Sequence, residues 1–136
     1  MQTPRRRRQE GLVREALYIF LAIAIVMVVL LDGLAIFNAQ QDARDSASEA
    51  GLEAQRVYLE TGSAGAAEDA AAETVQAYDG GELVDFSVST SAGSESFTVT
   101  VQHHADTYVF KYLKYVPGLD GWVDDVQNPT ITDTTP

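Results

Sequence analysis

Cysteine is absent from this 136-residue sequence. That excludes a disulfide scaffold and any thiolate chemistry, so the chain folds on packing alone. Basic residues are scarce beyond the first fifteen positions: only Arg44, Arg56, Lys111 and Lys114 come later, against eighteen acidic residues from Asp32 onward. No basic stripe is left to bind nucleic acid, and the acidity serves to keep an exposed domain soluble. Catalytic signatures are missing too: there is no G-x-S-x-G, no H-E-x-x-H and no phosphate-binding loop, and Gly80-Gly81 reads as a turn. His103, His104 and Asp106 lie close in sequence, but neighbouring strand residues face opposite sides and no further ligand stands at metal-site spacing. The expectation is a protein without catalytic residues, cofactor or metal. Proline and glycine are also rare where a helix would need them to be: Asn38 to Glu60 holds no proline and one glycine, Gly51.

What the chain does have is one long apolar run, Ala16 to Phe37, ALYIFLAIAIVMVVLLDGLAIF. Its strictly uncharged part, Ala16 to Leu31, would make roughly 24 Å of helix, short of a hydrocarbon core of about 30 Å, and the continuation to Phe37 supplies the remainder. Before it stand five arginines against Glu10 and Glu15, a net of +3; from Asp32 onward the net is −14, and together they make the −11 of the whole chain. Basic residues beside a membrane helix hold that end in the cytoplasm, so the N-terminus is expected inside and the remainder outside. A cleaved signal peptide is the competing reading, with Gly33-Leu34-Ala35 loosely like a cleavage site; the run exceeds an ordinary h-region of about 7–15 residues. The tail reads as a topology signal and a contact for anionic lipid. The expected organisation is a basic cytoplasmic tail (1–15), a transmembrane helix (16–37), a helical continuation outside the membrane (38–60), a small extracytoplasmic α+β head (61–127) and a polar tail (128–136).

Small residues recur at Ala35, Ala39, Ala43 and Ala47, each four apart and therefore on one helical face. Two readings stay open for this seam: close packing on the protein's own head, or a helix–helix contact with other subunits. One helix is expected from about Leu12 to Leu59. Thr61-Gly62-Ser63-Ala64-Gly65 breaks it, and Ala66 to Tyr78 reads as a second helix stopped by Asp79-Gly80-Gly81. Alternation then predicts a β-hairpin, with Val84, Phe86 and Val88 on one strand and Phe97, Val99 and Val101 on the other, around Ser91-Ala92-Gly93-Ser94. A lone hairpin is marginal in water, so its apolar face needs the long helix as a cover. Tyr108 to Val116 fits both periods and is read as a short amphipathic helix. Its aromatics, with Tyr108, Phe110, Tyr112, Tyr115 and Trp122 as a candidate patch, suit a core, a membrane interface or a partner. A last short strand is expected at Thr130 to Thr132, with a frayed end after it.

Two acidic residues border the apolar run. Glu15 sits where a helix dipole favours a carboxylate, and Asp32 where the membrane ends; each is also a candidate for subunit pairing.

A basic tail, then Gly11-Leu12-Val13-Arg14-Glu15-Ala16-Leu17, then an apolar helix running into an Ala-rich one, resembles the TadE-like pseudopilins of the tight-adherence (Tad) pilus system. The stretch Ala43-Arg44-Asp45-Ser46-Ala47-Ser48-Glu49-Ala50-Gly51-Leu52-Glu53-Ala54 is similar to the segment after the membrane helix in that family, and the later Ala-rich helix and the Phe97-Thr98-Val99-Thr100-Val101 strand also fit. The resemblance implies a pilin-like α+β fold, one long N-terminal helix carrying a small head, and partners among membrane lipid and other pilin-like or assembly-platform subunits. It also implies processing by a prepilin peptidase after a glycine, here between Gly11 and Leu12, with a glutamate five residues beyond to neutralise a neighbour's new N-terminus. Glu15 is four beyond Gly11 and Arg14 intrudes, a departure that leaves an uncleaved pseudopilin as the alternative. The function expected is thus a membrane-anchored structural or assembly component of a Tad-type pilus or related secretion apparatus. A membrane-tethered binding module using the aromatic patch, and an accessory subunit of some membrane enzyme or transporter, are the other classes.

Overall fold

The computed structural model describes residues 4–136, with side chains from Arg8 onward; residues 1–3 of the basic tail lie outside the described residues. Helix α1 runs unbroken from Pro4 to Thr61, 58 residues or roughly 87 Å. It starts earlier than the apolar pattern suggests and ends two residues later. Its end is set by Gly62, which takes a left-handed φ of 69° and donates its N–H to the Tyr58 carbonyl at 2.7 Å. Ser63 then caps α2 (Ala64–Gln76), its hydroxyl accepting the Ala66 N–H.

Strands β1 (Gly81–Ser91) and β2 (Ser94–His103) form the expected antiparallel hairpin, and β3 (Thr130–Thr135) adds to β2, giving the order β1-β2-β3. Ala92 and Gly93 both have positive φ, as a two-residue hairpin turn requires. Strand β3 runs through Thr135, so the polar C-terminal segment is a sheet edge for three residues beyond the expected Thr132. Between β2 and β3 lie a 3₁₀ helix (Phe110–Tyr115) and a short helix α3 (Asp120–Gln127). The first replaces the expected amphipathic helix and buries none of its residues; the second, DGWVDDVQ, lies where no helix is expected from the sequence and buries Val123 and Gln127 on one face.

The sheet turns one face to the helices: α1 covers β2 and β3, and α2 covers β1. The core is Ala on the helices against larger side chains on the strands: Ala47, Ala50 and Ala54 with Ala67, Ala71 and Val75, meeting Phe97, Val99 and Val101. Small helix residues let the backbones come close, while each buried Val or Phe contributes about 1.5–3 kcal/mol. Gly51 belongs to this surface, since a Cβ there would run into the Thr135 side chain. One expectation needs correction. Val84 does not share a face with Phe86 and Val88; a bulge between Leu83 and Asp85 turns Val84 outward and puts Leu83 on the core instead. The opposite face of the sheet is a hydroxyl ladder, with Thr100 to Thr132 at 2.9 Å and Ser89 to Ser96 at 2.7 Å.

Before the head begins, α1 carries its apolar surface alone. From Leu12 to Leu31 every residue is exposed except Ala24 and Val28, which are half-buried. A helix this long and apolar is compatible with a single membrane span.

Candidate functional site

Asp32 is the residue on which the apolar half of α1 and the head meet. It lies one residue beyond the uncharged run, yet only 4% of it is exposed. Its carboxylate accepts three backbone N–H groups: Tyr108 at 2.6 Å, Phe110 at 2.8 Å and Val109 at 2.9 Å. The next amide, of Lys111, donates to the Thr107 hydroxyl at 3.0 Å. The three donors that the start of the 3₁₀ helix leaves over, Val109, Phe110 and Lys111, and the Tyr108 amide before them are therefore satisfied, three of these four by one carboxylate from a different element. Charge-assisted bonds of this kind contribute about 1.5–3 kcal/mol each, which offsets the cost of removing Asp32 from water. The sequence alone offers membrane boundary or subunit pairing for this residue. The partner found is the protein's own backbone, 76 residues away.

A second tie lies higher on α1. His103, at the end of β2, is 1% exposed, and its Nε2 stands 2.9 Å from the Ser46 hydroxyl. Ser46 also donates to the Ala43 carbonyl at 3.2 Å, so the imidazole is the donor in this pair. Its Nδ1 is buried without a partner. His104 faces outward, as expected of neighbours in a strand, with Nδ1 2.8 Å from Asn128 Oδ1 and Nε2 3.6 Å from Asp106. The two imidazoles serve different surroundings, and among the described residues no group of three metal-ligating side chains comes together.

Between His103 and Tyr108 the chain runs down α1 from the level of Ser46 to that of Asp32, fourteen residues or roughly 21 Å toward the apolar end. Ala105 is held on this path by the Gln127 carbonyl at 2.7 Å, and the Gln127 side-chain amide donates to the Thr107 hydroxyl. Helix α3, with no role legible in its sequence, thus positions the descending segment.

The Ala seam divides. Ala39, Ala43 and Ala47 are buried by the protein's own head, and Ala35 is half-buried at the level of Asp32. Gly11, Leu12 and Glu15 are exposed positions of α1, far from the head. In the aromatic segment, Tyr108, Tyr112, Tyr115 and Trp122 are all more than half exposed, whereas Phe110 packs on Trp122 with ring centroids 5.1 Å apart. Lys111 and Lys114 each hold their ammonium just over 5 Å from the ring of the adjoining tyrosine. His104, Asp106, Tyr108, Lys111 and Lys114 line one open hollow beside them.

Comparison of the chain with protein-family models, with curated proteins and with solved structures gives no match to any of them.

Proposed function

We propose that this protein is a membrane-anchored structural or assembly component, similar to a TadE-like pseudopilin, whose apolar half-helix packs laterally in the bilayer while its head contacts other subunits. The observation that carries this reading is the division of α1: one half forms the wall of the head's core, and the other presents an apolar surface that the chain itself leaves uncovered. A cleaved signal peptide fits less well. Cutting after Ala35 would remove Asp32 and with it the cap on three amides of the head. The head is small and its core is built from the continuation of the same helix, as in pilin-like subunits, where anchor and scaffold are one element. Because Ala39, Ala43 and Ala47 are occupied within the chain, lateral contacts fall to the stretch before Asp32.

The natural absence of cysteine makes the test direct. Single cysteines placed along Leu17–Leu31 in the full chain, oxidised in native membranes, should crosslink to other subunits with a helical period. Mass spectrometry of the products identifies them as pilus or secretion components. Uniform lack of crosslinks along this stretch, in a chain that fractionates with membranes, would refute the assembly role.

A further inference from the structure

We propose that the segment Thr107–Trp122 is a foot that rests in the lipid headgroup layer where α1 leaves the membrane, its lysines on lipid phosphates and its aromatic rings in the interface. The inference rests on the membrane-anchor part of the preceding reading, and on neither the pilus nor the side of the membrane on which the head lies.

The position comes first. The Asp32 carboxylate fixes the start of the 3₁₀ helix against α1 one residue beyond its uncharged run. The strands lie higher, since β2 meets α1 at Ser46. The foot is thus the part of the head closest to the bilayer. With Asp32 tied to the head, the span runs from Leu12 to Leu31, about 20 residues with Arg14 and Glu15 at its N-terminal end, rather than on to the Phe37 expected from the sequence. This places the foot in the interfacial layer.

The side chains suit that place. A 3₁₀ helix has about three residues per turn, so residues three apart stand over one another in rows. Phe110 and Leu113 form one row, half-buried, with Phe110 against Trp122. Lys111 and Lys114 form the second, Tyr112 and Tyr115 the third, and both rows are exposed. A row of cations beside a row of tyrosines is what the interface recognises: phosphates for the ammonium groups, the amphipathic boundary for the rings. Charge supports the same occupant. Thr107 to Trp122 contains two lysines against one acidic residue, Asp120 near its end, within a region that otherwise carries a strong negative charge. An exposed tyrosine row without a lipid surface to meet would be an apolar liability on so small a head.

Trp122 is the only tryptophan, so it reports on the foot without labelling. The full chain is reconstituted in phosphatidylcholine vesicles containing a minority of phosphatidylglycerol, with lipids brominated either near the headgroup or deep in the acyl chains. The expected result is co-flotation with vesicles and blue-shifted Trp122 emission, quenched about twofold or more better by the shallow bromines than by the deep ones. Lys111→Glu with Lys114→Glu should lower that quenching while the head keeps its protease resistance. Flotation with unquenched, water-like Trp122 emission overturns the foot and leaves the anchor standing. Blue-shifted emission that depends on protein concentration and ignores bromine assigns the surface to a second copy and overturns the proposal. Unchanged quenching in the lysine variant overturns the phosphate contact. A chain that does not float overturns the anchor, and the foot with it.

Discussion

Tyr78 fastens the end of α2 to α1 through one hydrogen bond, its hydroxyl donating to Glu49 at 2.6 Å. That bond, more than the partial burial and the nearby charges of Glu49, Asp45 and Asp42, pushes the phenol from its usual 10 up to about 12. The bond needs the neutral phenol. A group whose folded pKa is raised contributes stability that is complete below the unfolded value and is lost as pH rises through the folded one. The contribution is therefore intact below pH 10 and disappears toward pH 12. Solvent reaches this pair, so its contribution is small. In an alkaline titration monitored by tyrosinate absorbance, Tyr78→Phe should remove the last-titrating component. It should also flatten the loss of stability across that window; an unchanged titration curve would show that Glu49 does not hold the phenol. Asp32 is the opposite case for sequence reading. Its place at the end of the apolar run is plain, but nothing in the local pattern points to amides 76 residues away.

Elements with a clean period are legible in the sequence. The apolar span, the break at Gly62, the Ala-rich α2 and the alternation of β2 arise from local spacing, and each is present. The failures fall where tertiary contacts outweigh local pattern. The bulge at Val84 reverses one residue against perfect alternation, because Leu83 is needed on the core. Helix α3 is short and rich in aspartate, and its bonds to the descending segment add to the burial of Val123 and Gln127 on one face. Strand β3 is present at the expected Thr130 to Thr132 but runs on to Thr135, because the hydroxyl ladder to β2 adds to the packing of Ile131 on the core. The Ala seam admits two readings from spacing alone, and the structure gives Ala43 and Ala47 no exposed surface at all. Ala43→Leu with Ala47→Leu should therefore force α1 away from the sheet. Overpacking costs about 1–3 kcal/mol for each side chain, while helix propensity hardly changes. A domain with a total stability of roughly 5–15 kcal/mol has little to spare. The double variant should still insert but expose its head to protease several-fold faster, whereas Ser48→Leu on the exposed side of α1 should not. A head that stays resistant with both leucines in place would mean that the Ala face is not its core.

For the whole molecule, the deciding quantity is the distribution of basic residues about the apolar run, five arginines before Ala16 against four basic residues spread from Arg44 onward. We propose that insertion leaves the basic flank in the cytoplasm, since carrying five arginines across the bilayer is avoided and anionic lipid attracts them. In that orientation the head would lie on the far side, where the absence of cysteine leaves it dependent on its core. Spheroplasts treated with protease should accordingly lose the region after Thr61 once the head is opened, for example by the Ala43→Leu and Ala47→Leu changes, while an epitope at the N-terminus survives until the membrane is lysed. Using the destabilised head separates topology from folding, because a compact wild-type head could resist cleavage on either side. Replacing Arg5 to Arg8 and Arg14 with glutamate should weaken or invert this orientation, since the rule counts basic residues near the helix. Loss of the N-terminal epitope from intact spheroplasts, with the opened head protected, would place the acidic head inside and overturn the proposed topology.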